Sequence, residues 1–227
     1  MAQQFQGITY TVDIVMCIDV TGSMGAHIDR VKKNALNFHN DVIRSCTEKG
    51  KKISNLRVKV IAFRDYHAED VEPMKISPFF DLPGEEEQLK VFVSPLTAEG
   101  GGDEPECALE ALSYALQSDW AKEGTKRRQV VVMFTDTSAH PLEYTGKKGN
   151  YPSGLPSSIG ELFSQWQGQS PLVHSSYKRL ILFAPDCEPW TWISAHWDNT
   201  IHHPAQAGMG LSDTDYEVIL DVIQNSI

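Results

Sequence analysis

Residues 12–24 read Val12-Asp13-Ile14-Val15-Met16-Cys17-Ile18-Asp19-Val20-Thr21-Gly22-Ser23-Met24. Residues 14–18 form an unbroken apolar run, the pattern of a strand buried on both faces. Asp19 follows at once, and two hydroxyls, Thr21 and Ser23, come at alternate positions around Gly22. In extended or turn backbone, residues i, i+2 and i+4 project to the same side. Asp19, Thr21 and Ser23 therefore converge just beyond the strand's end. Three oxygen donors with no nitrogen or sulfur among them suit a hard divalent cation, Mg²⁺ above all, better than Zn²⁺. The same residue types are common in turns and helix caps, so the reading needs support from elsewhere in the chain.

Two distant segments supply it. Residues 100–106, Gly-Gly-Gly-Asp-Glu-Pro-Glu, make a pliable loop that sets Asp103 just ahead of an expected helix. Residues 130–136, Val-Val-Val-Met-Phe-Thr-Asp, read as a second buried strand that also ends in a carboxylate, Asp136. In open parallel sheets, ligands sit beyond the carboxyl ends of strands, near the point where strand order reverses. Asp19 and Asp136 both occupy such ends. The candidate metal ligands are thus Asp19, Thr21, Ser23, Asp103 and Asp136.

The order Asp-Val-Thr-Gly-Ser-Met, Gly-Gly-Gly-Asp-Glu-Pro-Glu, Phe-Thr-Asp resembles a von Willebrand factor A (vWA) domain with its metal-ion-dependent adhesion site. That site is usually Asp-x-Ser-x-Ser followed by a Thr and an Asp. Thr21 stands for the first Ser and keeps the hydroxyl; Asp103 stands where the family usually has Thr, which makes the cup more anionic. Phe63-Arg64-Asp65-Tyr66, the Gly100–Glu106 loop and Thr135-Asp136-Thr137-Ser138-Ala139-His140-Pro141 are similar to the vWA domains of alpha-kinases and of bacterial TerY-like proteins. The resemblance spans most of residues 10–227. It implies a Mg²⁺ or Mn²⁺ site with one open coordination position, which a partner's carboxylate completes. It also implies protein partners among kinases or phosphatases of a stress or defence system.

Bulk properties agree with a single domain over residues 1–227, with its core over about 10–227. A hydrophobic content of 41% is enough to build a core, and a net charge of −10 argues against a broad nucleic-acid surface. Lys51-Lys52 and Lys126-Arg127-Arg128 are short clusters that read as solvated loop charges. The amino terminus carries no basic and apolar leader pattern, and no apolar run reaches the length of a membrane span. Cys17, Cys46, Cys107 and Cys187 are widely spaced, with Cys17 and Cys107 inside apolar patterns, as expected of reduced thiols in a cytoplasmic protein.

Alternating strand and helix patterns predict an α/β fold: a doubly wound, mostly parallel central sheet with helices on both faces and a short antiparallel edge strand. Strands are expected over 9–19, 56–63, 129–135 and 179–183, with the edge strand over 76–80. Helices are expected over 25–48, 85–93, 105–120 and 159–166, and residues 213–227 are amphipathic. The 140–156 stretch is long for a loop, which often marks function.

Other candidates carry less. His196, His202 and His203 match no standard zinc spacing, and their neighbours look loop-like. His140, four residues past Asp136, sits on the presumed rim; a positioning role, a partner contact, a helix cap and packing all remain open. Arg64 and Asp65 read as ion-pair residues that fix a loop. Glu104 and Glu106 read as acids answering a helix dipole. Trp190, Trp192 and Trp197 are core or edge cover, or an interface if exposed. No Ser-His-Asp order and no phosphate-binding Gly-rich loop is present. The expected function is therefore non-enzymatic protein binding through a metal. The alternative is a metal-dependent hydrolase, such as a phosphatase, working on the same acidic rim.

Overall fold

The computed structural model describes residues 9–68, 72–101, 104–124, 126–144, 149–169, 174, 176–205, 220, 221 and 225. In chain order the elements are β1 (Thr9–Asp19), a 3₁₀ turn (Gly22–Ala26), α1 (Ile28–Glu48), β2 (Lys52–Phe63), β3 (Met74–Ile76) and β4 (Phe80–Leu82). Then follow α2 (Glu86–Val93), α3 (Ala108–Leu116), β5 (Lys126–Phe134), α4 (Ile159–Ser164), β6 (Lys178–Pro185), α5 (Trp190–His196) and β7 (Thr200–Ala205).

Among the described residues the sheet runs β3-β2-β1-β5-β6-β7, with β4 on the amino-terminal half of β2. β2, β1, β5, β6 and β7 are parallel; β3 and β4 run antiparallel against β2. The chain steps outward from β1 to β2 and later returns to lay β5 on the other side of β1. Strand order therefore reverses at β1, and the carboxyl ends of β1 and β5 border the crevice where such sheets bind ligands.

β1 divides two cores. Val12, Ile14, Met16 and Ile18 face one cluster, completed by Val31, Phe38 and Val42 of α1 and Leu89 and Val93 of α2. Val15 and Cys17 face the other, with α3 and the tryptophans Trp166, Trp190 and Trp197. This is why the apolar run is continuous: alternate side chains point to opposite faces and both are covered. Fully burying each such aliphatic side chain contributes about 1.5–3 kcal/mol, so β1 is held firmly on both faces. No helix among the described residues is long and apolar enough to cross a membrane.

The structure adjusts several expectations. The helix expected over 25–48 begins instead as a 3₁₀ turn and enters α1 at Ile28. The edge strand expected over 76–80 is two short strands, β3 and β4. α3 starts at Ala108, later than the proline at 105 suggests. Glu106 is instead extended and bridges Ala139: its amide donates to the Ser138 carbonyl, and its own carbonyl accepts from the His140 amide. β7 and α5 form where the sequence pattern gives loop and tryptophan-rich cover. Trp190 and Trp197 are buried, so the core reading of that stretch is the one realised. Most of residues 213–227 lie outside the described residues.

Candidate metal centre

The backbone at the end of β1 is fixed before any side chain acts. The Val20 amide donates to the Phe63 carbonyl, and the Val20 carbonyl accepts from the Glu99 amide. The Gly22 amide donates to the Gly100 carbonyl. A Cβ on Gly22 would sit 3.3 Å from that carbonyl oxygen, so the close approach favours glycine there. Arg64 ties the same loop from the side. Its guanidinium donates to the carbonyls of Val20 and Thr97 and lies 3.3 Å from Glu99 Oε1. The loop-fixing role expected of Arg64 is thus fulfilled with Glu99 as its acid.

On this frame the hydroxyls and carboxylates form one chain. Asp19 Oδ1 accepts from the Thr21 amide at 2.9 Å and from Thr21 Oγ1 at 2.6 Å. Asp19 Oδ2 accepts from Thr135 Oγ1 at 2.7 Å. Thr21 Oγ1 and Ser23 Oγ lie 3.2 Å apart, and Ser23 Oγ donates to Asp136 Oδ1 at 2.9 Å. Four of the five sequence candidates, Asp19, Thr21, Ser23 and Asp136, therefore meet. Asp103 lies outside the described residues.

Electrostatics make the cluster unusual. Asp19 and Asp136 are both fully buried. Among the described residues, neither is paired with a lysine, arginine or histidine. Burial pushes the Asp19 carboxyl up to about 6, against the pull of the hydrogen bonds from Thr21 and Thr135, and the Asp136 charge pushes the same way. Asp136 Oδ2 is buried with no hydrogen-bond partner among the described residues, and a buried orphan acceptor costs about 1–3 kcal/mol. An all-oxygen donor set with excess negative charge and one unsatisfied carboxylate oxygen fits a hard divalent cation.

A cleft of about 170 Å³ opens over the chain, lined by Thr21, Ser23, Gly101, Glu104, Glu106 and Thr137 among others. Glu106 is the residue that sequence reasoning missed. Its side chain is almost wholly buried. A Cβ on Gly101 would fall 2.6 Å from Glu106 Oε1 and 3.1 Å from Thr21 Cβ, and Gly101 has φ +72°. The glycine thus lets a third carboxylate close on the cup. The signal was present in the alternation Glu104-Pro105-Glu106, which reads as extended backbone as readily as a helix start.

His140 is buried on the adjoining rim, 3.6 Å from Asp65 Oδ2 through its Nε2. At that separation the contact is an ion-pair approach and not a hydrogen bond. His196, His202 and His203 do not gather: His196 Nδ1 meets the Trp192 carbonyl, His202 Nε2 meets the Ala184 carbonyl, and His203 stacks on Phe183. Cys17, Cys46, Cys107 and Cys187 are all free thiols. Burial pushes those of Cys17 and Cys107 well above the ordinary range, so neither is an activated nucleophile.

Known proteins share part of this chain's sequence and its fold. Over 148 residues the chain is 28% identical to the alpha-protein kinase vwkA of Dictyostelium discoideum; the match takes in 65% of this chain and 22% of the kinase. The fold is shared with the pilus adhesin SpaC of Lactobacillus rhamnosus GG, at a TM-score of 0.58 and 13% identity over 95% of this chain and 30% of the adhesin. It is shared also with proximal thread matrix protein 1 of the mussel byssus, at a TM-score of 0.54 and 11% identity over 96% of this chain and 48% of that protein. The family model for the von Willebrand factor A domain matches residues 13–147, a span that holds the cup residues and the carboxyl ends of both strands beneath them. The chain belongs to the von Willebrand factor A domain family.

Proposed function

We propose that this domain is a protein-interaction module whose contact depends on a Mg²⁺ or Mn²⁺ ion held by Thr21, Ser23 and Asp103, with Asp19 and Asp136 acting directly or through water. The observation that carries the reading is the close run of oxygens Asp19–Thr21–Ser23–Asp136, in which Thr21 donates to Asp19, Ser23 donates to Asp136 and the two hydroxyl oxygens lie 3.2 Å apart, ending in a buried Asp136 oxygen with no partner among the described residues. The bound ion supplies a positive centre at the surface of an acidic protein. Its open coordination position is completed by a carboxylate of the partner.

The protein's own residues prepare that contact. Thr135 and Thr21 hold Asp19 so that its charge stays aimed at the cup. Arg64 and the glycines hold the 99–101 loop against Val20 and Gly22, so the rim is rigid before a partner arrives. Preorganisation of this kind lowers the cost of binding. For the partner, a protein kinase or phosphatase is the first class to test. The likeness to part of an alpha-protein kinase supports it, as does the resemblance to TerY-like domains. Four free thiols support a cytoplasmic setting.

A pull-down in Mg²⁺ and in EDTA tests the proposal. Capture that survives EDTA, or survives in a folded Asp136→Asn protein, overturns it. A phosphate-release assay with Mn²⁺ addresses the hydrolase alternative, and turnover lost in Asp19→Ala would favour that alternative.

A further inference from the structure

Beside the oxygen-only cup, across the extended Glu104–Glu106 segment, lies a second group of buried donors with different chemistry. Asp65 stands two residues past the end of β2, His67 in the turn that follows, and His140 just after the bridge between Glu106 and Ala139. We infer that Asp65, His67 and His140 form a second metal site, selective for a borderline transition cation of the Zn²⁺ type and separate from the Mg²⁺ cup.

Geometry carries the case. One donor atom from each of the three residues lies within 4.8 Å of the other two. A tetrahedral Zn²⁺ with ligands at about 2.0–2.2 Å spaces them roughly 3.3–3.6 Å apart. The separation of His140 Nε2 from Asp65 Oδ2 is 3.6 Å, the edge of such a tetrahedron and too long for a hydrogen bond. His140 is 8% exposed, and its Nε2 has no hydrogen-bond partner among the described residues. Here the two atoms stand apart as two ligands of one ion would.

The surroundings hold these donors in place. Asp65 Oδ1 accepts from the His67 amide at 2.8 Å and from the Cys107 thiol at 3.3 Å, which fixes the carboxylate and leaves Oδ2 turned to His140. The His140 amide is anchored on the Glu106 carbonyl, and the Cys107 amide on the Arg64 carbonyl. The Tyr144 ring packs against the imidazoles of His67 and His140. Such outer partners are what orient ligating imidazoles in metal sites.

Donor type sets the cation. Two imidazoles and one carboxylate suit Zn²⁺ and its neighbours, whereas Mg²⁺ takes oxygen and water. Three protein ligands leave a fourth position for water or for a donor from a bound molecule. A cavity of about 450 Å³ bounded by Asp65, His67, Glu104, His140 and Tyr144 gives access to it. Cys107 lies on the buried side, where it forms an overlapping donor group with His67 and Glu110. Its hydrogen bond to Asp65 makes it a positioning residue in this assignment and not a ligand.

The test uses the full chain saturated with Mg²⁺ and titrated with Zn²⁺ by calorimetry, with Co²⁺ as a visible-spectroscopic probe. One Zn²⁺ is expected to bind without displacing Mg²⁺. His67→Ala, His140→Ala and the size-conserving His140→Gln should each weaken Zn²⁺ binding by at least about 100-fold, the upper end of what loss of a mere outer partner costs. Asp136→Asn should lose Mg²⁺ and keep Zn²⁺, which also shows that the zinc site stands independently of the cup. Co²⁺ should give tetrahedral d–d bands with no sulfur charge-transfer band, unchanged in Cys107→Ser. Circular dichroism confirms that each variant is folded. The assignment is overturned if the wild type takes up no Zn²⁺ at micromolar concentration. It is equally overturned if folded histidine variants bind Zn²⁺ within threefold of wild type, or if Asp136→Asn abolishes Zn²⁺ binding.

Discussion

The two halves of β1 each bury an aspartate, and they solve the problem of its charge in opposite ways. In the amino-terminal half, Asp13 receives the Arg57 guanidinium at 2.8 and 2.6 Å on its two oxygens, and Oδ2 also accepts from the Ala121 amide at 2.6 Å. Charge and hydrogen-bonding capacity are both matched from within the chain. At the carboxyl-terminal end, among the described residues, Asp19 receives only hydroxyls and an amide, and Asp136 beside it keeps one oxygen without a partner. A buried ion pair contributes little net stability, but removing one partner is costly. The comparison teaches that Asp13 is matched as folded, whereas Asp19 and Asp136 keep negative charge that no cationic side chain among the described residues offsets, the charge that the proposed cation would neutralise.

The largest expected effect breaks the matched half. Arg57→Ala strands Asp13 in a site where it is 1% exposed and should cost about 3–5 kcal/mol. Thermal melting would register the loss, and Mg²⁺ should leave the deficit between variant and wild type unchanged.

A pH series sharpens the other end. Folding raises the Asp19 carboxyl from its ordinary value of 3.8 to about 6, so between those values the folded state binds the proton and the unfolded state does not. Stability from this group is therefore fully present below about pH 4 and is lost as pH rises through about 6, a swing of roughly 3 kcal/mol. The quantity to follow is the stability difference between wild type and Asp19→Asn without metal. It should shift against wild type over that window, and saturating Mg²⁺, which requires the ionised carboxylate, should reverse the trend.

Gly101→Ala comes next. The new methyl meets Glu106 Oε1 and Thr21 in a left-handed backbone, and a cost of roughly 1–2 kcal/mol follows. Mg²⁺ affinity should fall along with it, because the loop must withdraw from Gly22. At the neighbouring Gly25 a Cβ meets nothing within 4 Å, so Gly25→Ala is the control. Denaturant melts of the two variants should differ accordingly.

The smallest effect has the opposite sign. Asp136→Asn keeps an acceptor for Ser23 while removing a like charge beside Asp19, so the metal-free protein should be equally stable or gain up to about 1 kcal/mol. The same substitution should abolish the Mg²⁺-induced rise in melting temperature.

The contrast between the two halves of β1 was only partly legible in the sequence. The apolar run of residues 14–18 and the i, i+2, i+4 spacing of Asp19, Thr21 and Ser23 gave the strand and the convergence directly, because both depend on local periodicity. Asp136 followed from the same logic applied to β5. What stayed hidden depends on neighbours far along the chain. Glu106 looked like part of a helix start because its pairing with Ala139 is a tertiary contact. Thr135, which grips Asp19 from just past the end of β5, read only as strand. Arg57, 44 positions from Asp13, carries no local sign of its partner. His67 was passed over because its fellow donor His140 lies on another strand's end. β7 eluded the pattern because Thr200-Ile201-His202-His203-Pro204-Ala205 is a half-exposed edge strand with a proline, which edges tolerate.

Calorimetric titration of the wild type and of Asp136→Asn with Mg²⁺ at neutral pH, with circular dichroism confirming that both are folded, tests the central claim most directly. The account predicts one ion bound per wild-type chain and no measurable binding to the variant. Equal binding by the two proteins would contradict it, because the unsatisfied charge at the carboxyl end of β1 would then not be what calls for the metal.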